Sequence, residues 1–374
     1  MKVIIKNQKL ENITCDALIV NLFEGVKIPG GGTGAVDLAL NGLIKKIIKE
    51  EDFKGKTGSV LVIRTNGEIP ARKIIVVGLG EKDKFDLNTI RKVSASAIRA
   101  AKREKAKTFL ELIRIGNCLM AGIAVLIGFY LAKGTDYRLA GLAAIAGFLI
   151  CGAGQAINDY FDAGIDARTS KHKPIPSGKI TAKTALHASV IMFILGIISS
   201  YFINTTTLII AIIFSILLLA YSLFMNKIKY LGNFVVAAGT AITFAFGAAS
   251  AGNIPEIICV LTLTAFLSNL GREITKDIED VKKDLDVKKT LPMIFGTKAS
   301  KIFVVTYYLL AAIGALTAYS LFHLNNYYLG FTILSIALFG YSLFLLFEQS
   351  AKKSQKISKI AMLASLIAFI LIGV

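Results

Sequence analysis

The chain has 374 residues, 54% of them hydrophobic, with a mean hydropathy of +0.63 and a formal net charge of +18. So apolar a composition excludes a soluble enzyme along the whole length. The charge distribution excludes a nucleic-acid groove: 21 of the 43 Lys and Arg residues lie in residues 1–107 beside 12 acids, and the rest sit mainly between apolar runs.

Residues 1–107 read as a small soluble α/β domain. KVIIK (2–6), DALIVNLF (16–23), GSVLVIRT (58–65) and KIIVVGLG (73–80) are β-rich runs, and helical patterns cover 34–51 and 86–107. IPGGGTGAVD (28–37) has the glycines of a phosphate-cradling loop. It has neither the Lys-Ser/Thr ending of a P-loop nor GxGxxG spacing, so a turn opening the first helix is the simpler reading. The start of the chain shows no signal-peptide pattern. Cys15, Cys118, Cys151 and Cys259 form no CxxC pair and read as packing residues in a reducing compartment. His172, His187 and His323 are scattered, which argues against a histidine metal site.

CDALIV leading into a strand, the Gly-rich turn before a long helix, KIIVVGLGEKDKFD and IRKVSASAIRAAK together resemble the N-terminal domain of the leucyl aminopeptidase (M17) family. The metal-binding catalytic half of that family has no counterpart in this sequence, so the resemblance implies a non-catalytic domain. At the seam, helix runs into helix without Gly or Pro, as in a natural or an engineered fusion.

Nine apolar segments follow, at 109–132, 139–161, 183–203, 206–225, 232–251, 254–272, 299–321, 325–347 and 356–374. Each is about the length that crosses a bilayer as a helix. The expectation is a nine-span transmembrane domain over 108–374. The loops after even-numbered segments carry 19 Lys and Arg, those after odd-numbered segments only Lys133 and Arg138. By the positive-inside rule the former face the cytoplasm, with residues 1–107.

The chemistry sits where two of these segments end. Asn158, Asp162 and Asp166 have i, i+4, i+8 spacing, and Asp277, Asp280 and Asp284 have i, i+3, i+7 spacing. Each set shares one helical face. Of the 13 acids after Lys107, nine lie within 159–166 and 273–286. A solvated helix end would carry Lys or Arg to suit the macrodipole, not carboxylates. Oxygen ligands without His or Cys suit Mg²⁺, which takes one or two carboxylates plus substrate phosphates. The combination points to a phosphorylated substrate with a lipid tail, for which a prenyl diphosphate qualifies. A Mg²⁺ or phosphate transporter is the rival, but its acids are expected near the midplane.

NDYFDAGID (158–166) and DVKKD (280–284) are similar to the NxxxDxxxD and DxxxD signatures of the UbiA superfamily of intramembrane prenyltransferases, over about 108–374. INDYFDAGIDARTSKHKPIPSGKIT with GREITKDIEDVKKD looks most like the branch that builds archaeal ether lipids. The resemblance implies a nine-helix fold, Mg²⁺, catalysis by Asp162, Asp166, Asp280 and Asp284, and metal binding by these with Asn158 and Asp277. It implies phosphate binding by Arg114, Asn117, Arg168, Lys173, Tyr221 and Lys227. Tyr221 and Gly232-Asn233 fit the family, but Met225 stands where its lysine is expected, so Lys227, with Lys229, takes that role. The implied partners are geranylgeranyl diphosphate, geranylgeranylglyceryl phosphate and the lipid bilayer, not nucleic acid. The rings of Phe161, Phe244 or Phe246 are candidates to face an allylic cation, with packing as the simpler role.

Overall fold

A computed structural model describes residues 8–224, 229–284 and 289–373, side chains excepted at 105, 229–230, 282–284 and 373. The expected strand at 2–6 lies outside them. The chain forms two compact units, residues 1–112 with 170–181, and residues 113–169 with 182–374. This division differs from a boundary at 107, because the helix Leu87–Leu112 runs through that point unbroken.

The first unit is a three-stranded sheet covered on both faces. β1 (Leu18–Phe23), β2 (Val60–Arg64) and β3 (Lys73–Gly80) are ordered β1-β3-β2, with β1 parallel and β2 antiparallel to β3. β3 is buried at every residue, as its nearly unbroken apolar run requires of a central strand with both faces covered. The helical pattern at 34–51 resolves into α1 (Gly31–Ala39) and α2 (Leu43–Glu50). Asn41 and Gly42 both take positive φ between them, and the Asp37 carboxylate caps α2 by accepting from the Lys45 N–H at 3.0 Å. α1 and α2 bury Val36, Leu40, Ile44 and Ile48 against Leu18, Val20, Ile74 and Val76.

The other face is covered by α3 (Leu87–Leu112), whose Val93 and Ala97 meet Ile75, Val77 and Leu79. Asp86 starts α3, accepting from the Thr89 backbone N–H at 2.6 Å and its hydroxyl at 2.7 Å. These bonds hold the Asp86 carboxyl below its usual range. Lys73 is buried at the edge of this core and is paired with Glu104 of α3 at 3.2 Å.

Among the described residues the second unit is built of helices: α4 (Ile115–Leu131), α5 (Tyr137–Phe161), α6 (Ala163–Thr169), α7 (Ala182–Tyr201), α8 (Thr205–Leu223), α9 (Lys229–Ser250), α10 (Glu256–Asp284), α11 (Leu291–Leu321), α12 (Asn326–Phe347) and α13 (Ala351–Ile370). Its outward faces are apolar: Ile191, Ile194 and Ile198 on α7, and Ile209, Ile213 and Ile216 on α8, are all exposed. That pattern suits a lipid solvent. Among the described residues, seven helices (α5 and α7 to α12) are long and apolar enough to cross a membrane, or eight if α3 and α4 count as one broken span. The expected count of nine is not reached on these criteria. α4 has 17 residues, because Arg114 in a left-handed conformation (φ 50°) ends the helical run expected from 109. α13 opens on Lys352, Lys353, Lys356 and Lys359. The sixth span continues well past 272, so its acids lie within α10.

Small residues let these helices approach. A Cβ on Gly128 would lie 2.0 Å from the Phe244 carbonyl oxygen, and one on Gly247 would lie 1.9 Å from that of Val125, so α4 and α9 touch backbone to backbone. α9 also packs on α5, α8 and α10. A hydroxyl seam joins three helices: Ser342 of α12 bonds Ser354 (2.9 Å) and Ser358 (2.8 Å) of α13, and Tyr308 of α11 bonds Ser358 (2.9 Å).

Candidate active site

The first acidic cluster closes α5 and continues into α6. Asp162 is the C-cap of α5. Its N–H still donates to the Asn158 carbonyl at 2.9 Å, and the Asp166 N–H donates to the Asp162 carbonyl at 2.8 Å. The helical period therefore passes through the joint, and Asn158, Asp162 and Asp166 stack on one face. The Asn158 amide donates to Asp162 Oδ2 at 3.3 Å. Asp162 and Asp166 are only 4% and 5% exposed. Carboxylates buried at a helix C-terminus face both the macrodipole and a desolvation cost of several kcal/mol, which positive partners must offset.

Asp159, one residue on and so turned by about 100°, is also buried. It pairs with Arg114 at 2.8 Å, and Arg114 also hydrogen-bonds Gln155. The guanidinium thus spans α4 and α5. Asn117 is exposed on the first turn of α4, its N–H donating to the Arg114 carbonyl at 2.8 Å.

The second cluster lies along the C-terminal part of α10. Asp277 is fully buried and accepts from the Asn233 amide of α9 at 2.7 Å. Glu273 is buried, paired with Arg272 and 3.9 Å from Lys276. Arg272 Nε donates to Asn269 Oδ1 at 3.1 Å. Asp280 is half-buried. Asp284 ends the helix, and its side chain lies outside the described residues. A Cβ on Gly232 would lie 2.5 Å from Tyr221 Cε2, so only glycine there lets the ring of Tyr221 on α8 seat against α9.

The basic candidates lie on different elements. Arg168 is exposed on α6. Lys173 is half-buried in the segment 170–181, which packs with the first unit, and its N–H donates to the Ser170 carbonyl at 3.0 Å. Lys227 and Met225 lie outside the described residues, as does the side chain of Lys229. Phe244 and Phe246 are buried, and Phe244 packs edge-on against Phe369 at 5.5 Å, a core contact. Phe161 is partly exposed, edge-on to Tyr160 at 5.0 Å.

Among the described residues no three His, Cys, Asp or Glu side chains converge to hold an ion by themselves. Each cluster instead offers carboxylate and amide oxygens in a shell without His or Cys. That donor set matches Mg²⁺ completed by waters and substrate phosphates. Sequence reasoning did not pick out Gln155 and Asp159 as the partners of Arg114, or Asn233 as the partner of Asp277. The signal available was a polar residue buried in an otherwise apolar helix.

A multi-pass helical bundle with two acid-ended helices is the architecture of an intramembrane group-transfer enzyme, and the chain belongs to the UbiA prenyltransferase family, whose pattern matches residues 121–367. It is a prenyltransferase and a multi-pass membrane protein. Residues 19–117 match the N-terminal domain of the cytosol aminopeptidase family. The chain is 36% identical over 264 residues to digeranylgeranylglyceryl phosphate synthase of Methanosphaera stadtmanae, covering 70% of this chain and 96% of that one. It is 38% identical over 284 residues to the synthase of Methanosarcina mazei, covering 71% and 97%. A solved structure of digeranylgeranylglyceryl phosphate synthase superposes with a TM-score of 0.61 at 36% identity, covering 72% of this chain and 98% of that one. A UbiA homolog from Archaeoglobus fulgidus bound to GPP and Mg²⁺ shares the fold at 16% identity, with a TM-score of 0.54 and coverage of 70% and 99%.

Proposed function

We propose that the protein transfers a geranylgeranyl group from geranylgeranyl diphosphate to the free hydroxyl of geranylgeranylglyceryl phosphate, forming an ether. The observation that carries this reading is the pair of carboxylate arrays on α5–α6 and α10, with Asp162, Asp166 and Asp277 buried, supported by relatives named as that synthase along nearly their whole length. Asn158, Asp162 and Asp166 on one helix end, and Asp277, Asp280 and Asp284 on the other, would hold Mg²⁺, which when bound would supply charge neutralisation for a departing diphosphate.

Asp162, Asp166, Asp280 and Asp284 would hold this ion and, with it, the diphosphate, so that little reorganisation accompanies departure of the leaving group. Asn233 holds Asp277 in one orientation, and Gln155 and Asp159 hold Arg114. Arg114, Asn117, Arg168, Lys173, Tyr221 and Lys227 bind phosphate oxygens of donor and acceptor. The apolar helix walls exclude water from the allylic cation until the acceptor hydroxyl attacks it.

We assign prenyl transfer to residues 108–374, with α4 and α13 completing nine spans, and a non-catalytic role to residues 1–107. The bias of Lys and Arg among the loops favours a cytoplasmic face for both the site and the N-terminal unit.

The test is product analysis with purified protein, radiolabelled geranylgeranyl diphosphate and Mg²⁺. Geranylgeranylglyceryl phosphate is expected to be prenylated and 4-hydroxybenzoate to stay inert. Efficient prenylation of 4-hydroxybenzoate with the glyceryl phosphate inert overturns the substrate assignment.

A further inference from the structure

The exposed face of α3 carries a row of positive charge that its own unit does not neutralise. Arg91, Lys92, Arg99, Lys102, Arg103 and Lys107 are all exposed, while Val93, Ala97 and Thr108 turn into the core. The helix has two acids, Glu104 and Glu111, and both are engaged by cations from outside it. Glu104 pairs with Lys73 at 3.2 Å, and Glu111 pairs with Lys179 at 2.7 Å. Arg91 and Arg99 hydrogen-bond the neutral Asn88 and Ser96. None of the six exposed cations makes a close ion pair among the described residues, and only Lys92 among them acts on a nearby carboxyl, that of Asp86. At the N-terminal end of the row is an open hollow of about 490 Å³, lined by Thr57, Gly58, Arg91, Lys92, Ser96 and Arg99. At the other end the chain passes directly into α4, the first helix of the membrane unit.

We propose that this face of α3 is a docking surface for anionic lipid headgroups. The occupant follows from charge and connectivity. The row is uniformly cationic, so it repels cations and attracts phosphate. It is tethered by the chain to a membrane-embedded unit, so the anionic ligand at highest local concentration is the leaflet itself. Clusters of four to eight Lys and Arg beside a membrane segment have the strength to recruit anionic lipid, and removing each lowers the preference by roughly fivefold. The hollow adds hydroxyls from Thr57 and Ser96 to three cations, a set that suits a phosphate group. The surface would hold the N-terminal unit against the membrane.

The experiment uses the full chain in nanodiscs of mixed phosphatidylglycerol and phosphatidylcholine, with retained lipid counted by native mass spectrometry. The wild type is expected to retain phosphatidylglycerol in excess of its share, and high salt to remove the excess. The variant R99Q/K102Q/R103Q/K107Q should lose most of it, since glutamine keeps the helix while removing charge. A second variant that exchanges the same four positions between Lys and Arg should keep it. Equal enrichment in wild type and the glutamine variant overturns the proposal. So does a wild type that shows no lipid preference while inorganic phosphate or a single-stranded oligonucleotide protects α3 from trypsin.

Discussion

Two polar regions interrupt this apolar bundle, and they are built in opposite ways. Along α11, α12 and α13 the hydroxyls of Tyr308, Ser342, Ser354 and Ser358 bond one another. A hydroxyl both donates and accepts, so such groups can satisfy one another. At the ends of α5 and α10 the buried groups are Asp159, Asp162, Asp166, Glu273 and Asp277. An ionised carboxylate only accepts, and carboxylates cannot satisfy each other. Some find cations or amides in the protein, as Asp159 does in Arg114 and Asp277 in Asn233. The difference separates hydroxyls that can satisfy one another from carboxylates that need donors or cations from other groups.

Removing charge from the acidic region should have the largest effect. Asp162→Asn or Asp280→Asn keeps volume and is expected to lower turnover by about 10²–10³-fold, with the melting temperature near that of wild type. Steady-state prenyl transfer and a thermal melt on the same preparation check this. Full activity in either variant would erase the distinction between the two regions.

Gly232→Ala tests the packing behind the second cluster. The new methyl meets the ring of Tyr221, so α9 must shift and carry Asn233 with it. A loss of about tenfold in kcat/KM, equivalent to ~1.4 kcal/mol, is expected, and Asn233→Ala should reproduce part of it. An unchanged kcat/KM in both would remove Asn233 from the account.

The seam should behave as glue alone. Ser358→Ala removes hydrogen bonds to Tyr308 and Ser342 and is expected to cost ~0.6 kcal/mol per interhelical bond, read as a small fall in melting temperature at unchanged kcat. A large loss of activity in a stable Ser358→Ala protein would mean that the seam also communicates with the site. The smallest effect is expected from deleting residues 1–105. Prenyl transfer in detergent should persist, since the acidic residues lie within 108–374, with any loss traced to Lys173, whose segment 170–181 packs with the removed unit.

Much of this was legible in the sequence, and the gaps have physical causes. Period fixes which residues of one helix share a face, so the stacking of Asn158, Asp162 and Asp166 could be read from spacing. The strands at 18–23, 60–64 and 73–80 were equally plain from β-branched runs. Period says nothing about contacts between helices, so the Asp159–Arg114 and Asp277–Asn233 pairs were invisible. Breaks that depend on a single positive φ were also missed: Asn41 and Gly42 split one expected helix, and Arg114 separates α3 from α4 inside an expected span. Arginine is a good helix former by propensity. Its place at a break follows from its bonds to Gln155 and Asp159 on another helix, which only the fold supplies.

The most direct test of the central claim is substrate binding without turnover. Equilibrium dialysis of radiolabelled geranylgeranyl diphosphate against the purified protein, with no acceptor present, reports whether the carboxylate ends hold the diphosphate through a cation. Saturable binding is expected with Mg²⁺, with loss of at least tenfold in affinity on adding EDTA and in Asp162→Asn and Asp280→Asn. Binding of equal strength with EDTA, or in both variants with Mg²⁺, would contradict the account.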